Sequence, residues 1–144
     1  MVRRSQAPLR VTTERTATPV SDPPRVLVVD DDPLVGRMIE RVLQGFRITF
    51  AQSATGALGR IQAGGDFQAI VCDVRMPGMS GLQFHDELAR VAPALARRMV
   101  LLTGAWDAQI AAYAERTSVP WLPKPFAPEQ LRAAVRHAAK QARR

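Results

Sequence analysis

The sequence has one cysteine, Cys72, in 144 residues. A lone thiol excludes an internal disulfide and fits a reducing compartment. No apolar run approaches the roughly 18 residues of a membrane span. Arg3 and Arg4 are followed by no apolar stretch, so no secretory signal is expected. Aromatic residues make up only 6% of the chain. None lies in the arginine-bearing ends, which therefore lack the stacking platforms of single-strand binders. No internal repeat is present. These absences predict a cytoplasmic domain that folds on its core alone.

Charge is plentiful but uneven, with a net value of +7. Arg3, Arg4, Arg10, Arg15 and Arg25 crowd one end. Arg132, Arg136, Lys140, Arg143 and Arg144 crowd the other. A basic balance raises nucleic acid as a partner. The simpler reading is a polar tail and a solvated last helix with cations at its C-terminal end, where the helix dipole favours them. Nucleic acid is therefore not expected as the partner.

Residues 1–24 are rich in Thr, Pro, Arg and Ser without apolar periodicity, which predicts a disordered tail. Beyond them, short apolar runs alternate with helical patterns. Strands are expected at 26–29, 48–51, 67–72, 99–102 and 119–122. The first helix starts at Pro33 behind the cap Asp32, and places Leu34, Val35, Met38, Ile39, Val42 and Leu43 at helical spacing. A second helix is expected at 55–62. A third runs from Gly81, with Leu82, Phe84, Leu88 and Val91 inward, and stops near Pro93. A poorly patterned, alanine-rich helix is expected at 107–115, and a last one at 128–143. His85 and His137 read as helix-surface residues. Five β-α units with continuously apolar strands predict an α/β fold: a doubly wound, flavodoxin-like parallel sheet of order 2-1-3-4-5.

Four of the strands end in a chemically useful residue. The first runs into Asp30-Asp31-Asp32, the third into Asp73, the fourth into Thr103, and the fifth into Lys124-Pro125. In an open α/β sheet these ends share one edge, and sites form there. Carboxylates, a hydroxyl and an ammonium together suit a divalent cation and a phosphoryl group. Crowded carboxylates repel, so at least one pKa should be raised unless a cation compensates. Metal-dependent stability is expected in consequence.

The elements Val28-Val29-Asp30-Asp31, Asp73-Val74-Arg75-Met76-Pro77-Gly78-Met79-Ser80-Gly81, Leu101-Leu102-Thr103-Gly104 and Lys124-Pro125-Phe126 resemble the receiver domain of two-component response regulators. The stretch is also similar to the receivers of hybrid histidine kinases. The resemblance makes residues 25–144 the receiver domain. It implies that Asp73 accepts a phosphoryl group from a histidine kinase or histidine phosphotransfer protein. It implies that Mg²⁺ is held by Asp31 and Asp73 directly, by Asp30 through water, and by the Arg75 backbone carbonyl. Lys124 would pair with Asp73 or a phosphoryl oxygen, aimed inward by a cis Lys124-Pro125 bond. Thr103 would donate to another phosphoryl oxygen. Thr103 and Trp121 would form the switch, with Trp121 half exposed where the family has Tyr or Phe.

The expected protein is thus a single-domain switch rather than a turnover enzyme, a monomer or weak dimer with no fused DNA-binding domain. Its output would pass through the face formed by the fourth helix, fifth strand and fifth helix, to a protein partner or along a phosphorelay. Alternatives are a phosphate sink and a receiver that docks unphosphorylated. A haloacid-dehalogenase-type phosphohydrolase is disfavoured, because Arg75 stands where that family needs a second acid. Arg75 lies at the mouth of the site, where a cation clamps the phosphoryl group or hinders a partner.

Overall fold

The computed structural model describes residues 22–142. The tail expected at 1–24 lies outside them, apart from 22–24. The elements are β1 (Arg25–Val29), α1 (Pro33–Val42), β2 (Arg47–Ala51), α2 (Ala54–Gln62), β3 (Ala69–Asp73), α3 (Gly81–Val91), α4 (Pro93–Ala96), β4 (Met99–Thr103), α5 (Ala108–Thr117), β5 (Trp121–Pro123) and α6 (Pro128–Gln141). The five strands are all parallel, in the order β2-β1-β3-β4-β5. The expected sheet is therefore present. No helix among the described residues is long and apolar enough to cross a membrane.

Side chains alternate across a strand, so continuously apolar strands supply two cores. Leu27, Val29, Ile70, Cys72, Met99 and Leu101 pack on one face with Phe84, Leu88, Ile110 and Tyr113. Val26, Val28, Val71, Val100 and Leu102 pack on the other with Ile39, Leu43, Leu131 and Val135. α3 begins with a reciprocal cap: the Ser80 hydroxyl accepts from the Gln83 amide, and the Gln83 side chain accepts from the Ser80 amide.

Several boundaries differ from expectation. Pro93 does not simply end α3; it is the first residue of the short helix α4, where its missing N–H is harmless. The chain thus has six helices among its described residues, and the expected fourth and fifth are α5 and α6. The third strand starts at Ala69 rather than Phe67, and the fifth is shifted to Trp121–Pro123. Val91 was expected to face inward but is exposed, and so are Leu34 and Met38 of the helical pattern in α1. The apolar stripe on α1 is wider than the strip the sheet can cover. The helix expected to be loosely anchored is held by buried Ile110 and Tyr113. It ends at Ser118 in the left-handed conformation (φ 60°), which glycine more often supplies.

Candidate functional site

The site forms at the C-terminal edge of the sheet. Asp30 directly follows β1, Asp73 ends β3, Thr103 ends β4 and Lys124 directly follows β5. Parallel register brings these ends together although Asp30 and Lys124 are 94 residues apart in sequence. The Lys124 Nζ donates to Asp30 Oδ2 at 3.0 Å and lies 3.2 Å from Asp73 Oδ1. The other oxygen of Asp30 accepts from the Asp32 amide at 2.9 Å. Asp30 is 1% exposed and Asp73 7%. Asp31 is exposed. One carboxylate oxygen from each of Asp30, Asp31 and Asp73 can be chosen so that all lie within 4.8 Å of one another.

The electrostatics follow from burial and pairing. Burial raises the Asp73 carboxyl above its ordinary value; Lys124 opposes this, and Asp30 adds to it. A raised carboxyl was expected from repulsion alone, whereas desolvation is the larger cause. Burial by itself would depress the Lys124 ammonium. Its hydrogen bond to Asp30 and the nearby Asp73 charge outweigh that and hold it above its usual value. Burial also pushes the Cys72 thiol well up, so it is a core residue and not a nucleophile.

The loop after β3 is shaped by its glycines. Gly78 adopts φ 78°, a left-handed conformation that side chains disfavour. Gly81 donates its amide to the Val74 carbonyl at 2.8 Å. A Cβ there would lie 2.9 Å from the Val74 Cα and closer still to the Asp73 carbonyl oxygen. The backbone carrying Asp73 therefore rests directly on the start of α3. The Lys124-Pro125 bond is cis.

Other expected residues are placed as follows. Thr103 is buried, and its hydroxyl donates to the Ala105 carbonyl at 2.9 Å. Arg75 reaches across to Asp107 at 2.6 Å rather than standing free at the mouth. Asp107 also caps α5 by accepting from the Ile110 amide at 2.9 Å. Cap and guanidinium together hold its carboxyl below the usual range. Trp121 is half exposed, as expected, and stacks on Trp106. Reading the sequence missed both Asp107 and Trp106. The only available signal was a cap-type Asp just ahead of Ile110.

His85 is a correction. It was expected on the helix surface but is buried, with its Nδ1 against the Tyr113 hydroxyl. That hydroxyl also donates to Asp86 at 2.9 Å, joining α3 to α5. The partner lies 28 residues away, out of reach of any local pattern. His137 is exposed, as expected. Burial, the largest cause, lowers the His85 pKa from 6.5. The folded state therefore binds fewer protons than the unfolded one just below pH 6.5, and stability falls as the pH drops through that window. Urea melts between pH 7.5 and about 5 should show this loss, and His85→Gln should flatten it. An unchanged slope in the variant would rule the assignment out.

A family model described as the response regulator receiver domain matches residues 26–136. The chain is 34% identical over 128 residues to the C4-dicarboxylate transport transcriptional regulatory protein DctD of Rhizobium meliloti (strain 1021), covering 86% of this chain and 27% of that protein. It is 34% identical over 116 residues to Response regulator MprA of Mycobacterium sp. (strain KMS), covering 79% and 50%. The chain thus spans half or less of the length of these relatives. Among solved structures, a response regulator receiver domain protein from Clostridium thermocellum has a TM-score of 0.74 at 25% identity, covering 83% of this chain and 97% of that one. An adenylate cyclase from Rhodopirellula baltica has a TM-score of 0.74 at 31% identity, covering 83% and 89%. Sheet order, the acidic edge and these likenesses agree, and the chain belongs to the response regulator receiver domain family.

Proposed function

We propose that this receiver domain accepts a phosphoryl group on Asp73 from a phosphohistidine donor and operates as a phosphorylation switch. The observation that carries this reading is the pairing of buried Asp73 with the Lys124 ammonium at 3.2 Å, inside a cluster of three carboxylates. An Asp73 oxygen attacks phosphorus and the P–N bond breaks. The donor imidazole keeps the electron pair and takes a proton, leaving an acyl phosphate on Asp73. Lys124 balances negative charge on a phosphoryl oxygen. The Thr103 hydroxyl donates to another once it leaves Ala105. Positioning and charge balance are nearly the whole catalytic task in such a transfer.

An all-oxygen, carboxylate-rich donor set fits a hard divalent cation such as Mg²⁺. Asp31 and Asp73 would hold it, with Asp30 and the Arg75 carbonyl in support. When bound, it would neutralise the anionic charge that opposes attack by a carboxylate. The donor is a histidine kinase or phosphotransfer protein. Output passes through α5, β5 and α6 to a protein partner or along a phosphorelay.

Incubation with acetyl phosphate and Mg²⁺, followed by intact mass measurement, tests the reading. One phosphoryl adduct is expected, labile to hydroxylamine as an acyl phosphate is, and absent when Mg²⁺ is chelated. A hydroxylamine-stable adduct, or one indifferent to the metal, counts against it.

A further inference from the structure

We propose that Trp106 is a positioning residue for the phosphoryl-transfer site: stacked on Trp121, it holds the segment after β4 so that the Thr103 hydroxyl stays on Ala105. This rests on the phosphorylation reading above and adds a brake to it. The two indoles lie with ring centroids 3.9 Å apart and planes inclined by 24°. They are 45% and 38% exposed. The surrounding core therefore does not impose the stack; it forms as a contact between the two side chains.

The stack lies at a mechanically critical place. Trp121 is the first residue of β5 and pairs in register with Leu101 of β4. Trp106 lies three residues past Thr103. Both ends of the connecting segment are already fixed. The Thr103 carbonyl accepts from the Lys124 amide at 2.8 Å. Asp107 caps α5 and pairs with Arg75. Residues 104–106 lie between these two fixed points, and the stacked Trp106 anchors them.

Thr103 has one hydroxyl proton, and it is given to the Ala105 carbonyl. The same oxygen accepts from the Ala105 amide at 3.3 Å. That proton reaches a phosphoryl oxygen on Asp73 only when the hydroxyl leaves Ala105, the immediate neighbour of Trp106. Breaking the hold on Ala105 and loosening the stack are thus one movement. An aromatic stack biases such a two-state balance by roughly 2- to 10-fold. Removing it shifts the balance toward the arrangement that accepts the phosphoryl group.

Trp106 and Trp121 are the only tryptophans in the chain, so coupled indole bands in near-ultraviolet circular dichroism report the stack directly. The experiment records those bands and intact mass in the same samples of full chain with acetyl phosphate and Mg²⁺, for wild type, Trp106→Ala and Trp106→Phe. The wild-type bands are expected to weaken in proportion to adduct. At equal donor, Trp106→Ala should carry roughly 2- to 10-fold more adduct while the level is low, and Trp106→Phe an intermediate amount. If Trp106→Ala does not fold, Trp106→Phe alone decides the comparison. Adduct on Trp106→Ala but not on wild type also supports the brake. Adduct with unchanged wild-type bands, or no gain in a folded variant, overturns the positioning role and leaves the phosphorylation reading standing. Absence of adduct from wild type and folded variants alike overturns both.

Discussion

Asp73→Asn is expected to abolish the phosphoryl adduct and to yield a folded protein that melts no lower than wild type in metal-free buffer. The two results have one cause. Asparagine keeps the shape of the side chain but has no carboxylate to attack phosphorus. The carboxylate is also a burden to the resting fold. Burial and Asp30 raise the Asp73 pKa above 3.8, with Lys124 only partly compensating. For a carboxyl raised in the folded state, the native protein binds more protons than the unfolded one. Stability then falls as pH rises from about 3.8 through the folded pKa, and the ionised group lowers stability above it. The neutral amide removes that effect, and Lys124 keeps Asp30 as a partner at 3.0 Å. The variant should also lose most of the Mg²⁺-induced rise in melting temperature, since it offers one carboxylate fewer to the cation. Thermal melts with Mg²⁺ or chelator, beside intact mass, check all three points. A large drop in the metal-free melting temperature would mean that the Asp73–Lys124 pair stabilises the fold on balance.

Gly81→Ala is expected to destabilise the domain by about 2–3 kcal/mol, a drop of roughly 10 °C in melting temperature. Alanine is the better helix former, so propensity alone predicts a gain. Sterics reverse it. The new methyl group would lie 2.9 Å from the Val74 Cα and closer to the Asp73 carbonyl oxygen. Both obstacles are backbone, which cannot swing aside as a side-chain tip can. Relief requires α3 to move off the end of β3, displacing the backbone that aims Asp73. Phosphorylation should therefore fall together with stability. Gly59→Ala is the matched control. Gly59 lies inside α2 with open space around its Cβ direction, and the change should stabilise by about 0.5–1 kcal/mol. Equal melting temperatures for the two variants would remove the steric account.

The correctly and incorrectly read parts of the sequence divide along a physical line. Strand ends were legible because the chain repeats one device: a short apolar run, buried in β1, β3 and β4 though not in β5, then a polar residue at its exit. Parallel pairing carries every exit to the same edge, so Asp30, Asp73, Thr103 and Lys124 could be grouped without knowing any distance. The third helix does stop near Pro93, but the short helix that Pro93 begins went unread, because proline ends one helix and begins another with equal ease. Leu34 and Met38 fit the helical pattern yet are exposed, because periodicity tells which side of a helix is apolar, but not how much of that side the sheet covers.

The amino-acid sequence by itself determined the α/β class, the sheet order and the set of residues that meet at its C-terminal edge. The class and the shared edge follow from local pattern, and the order is the one expected of a five-stranded doubly wound sheet with right-handed connections. Only the tertiary structure decided where the charges and aromatics point. Arg75 turns to Asp107, His85 is buried against Tyr113, and Trp121 lies under Trp106. Lys124 is shared between Asp30 and Asp73. Such pairings join residues on different elements, and their energies depend on separations of a few ångströms. No periodicity along the chain carries that information.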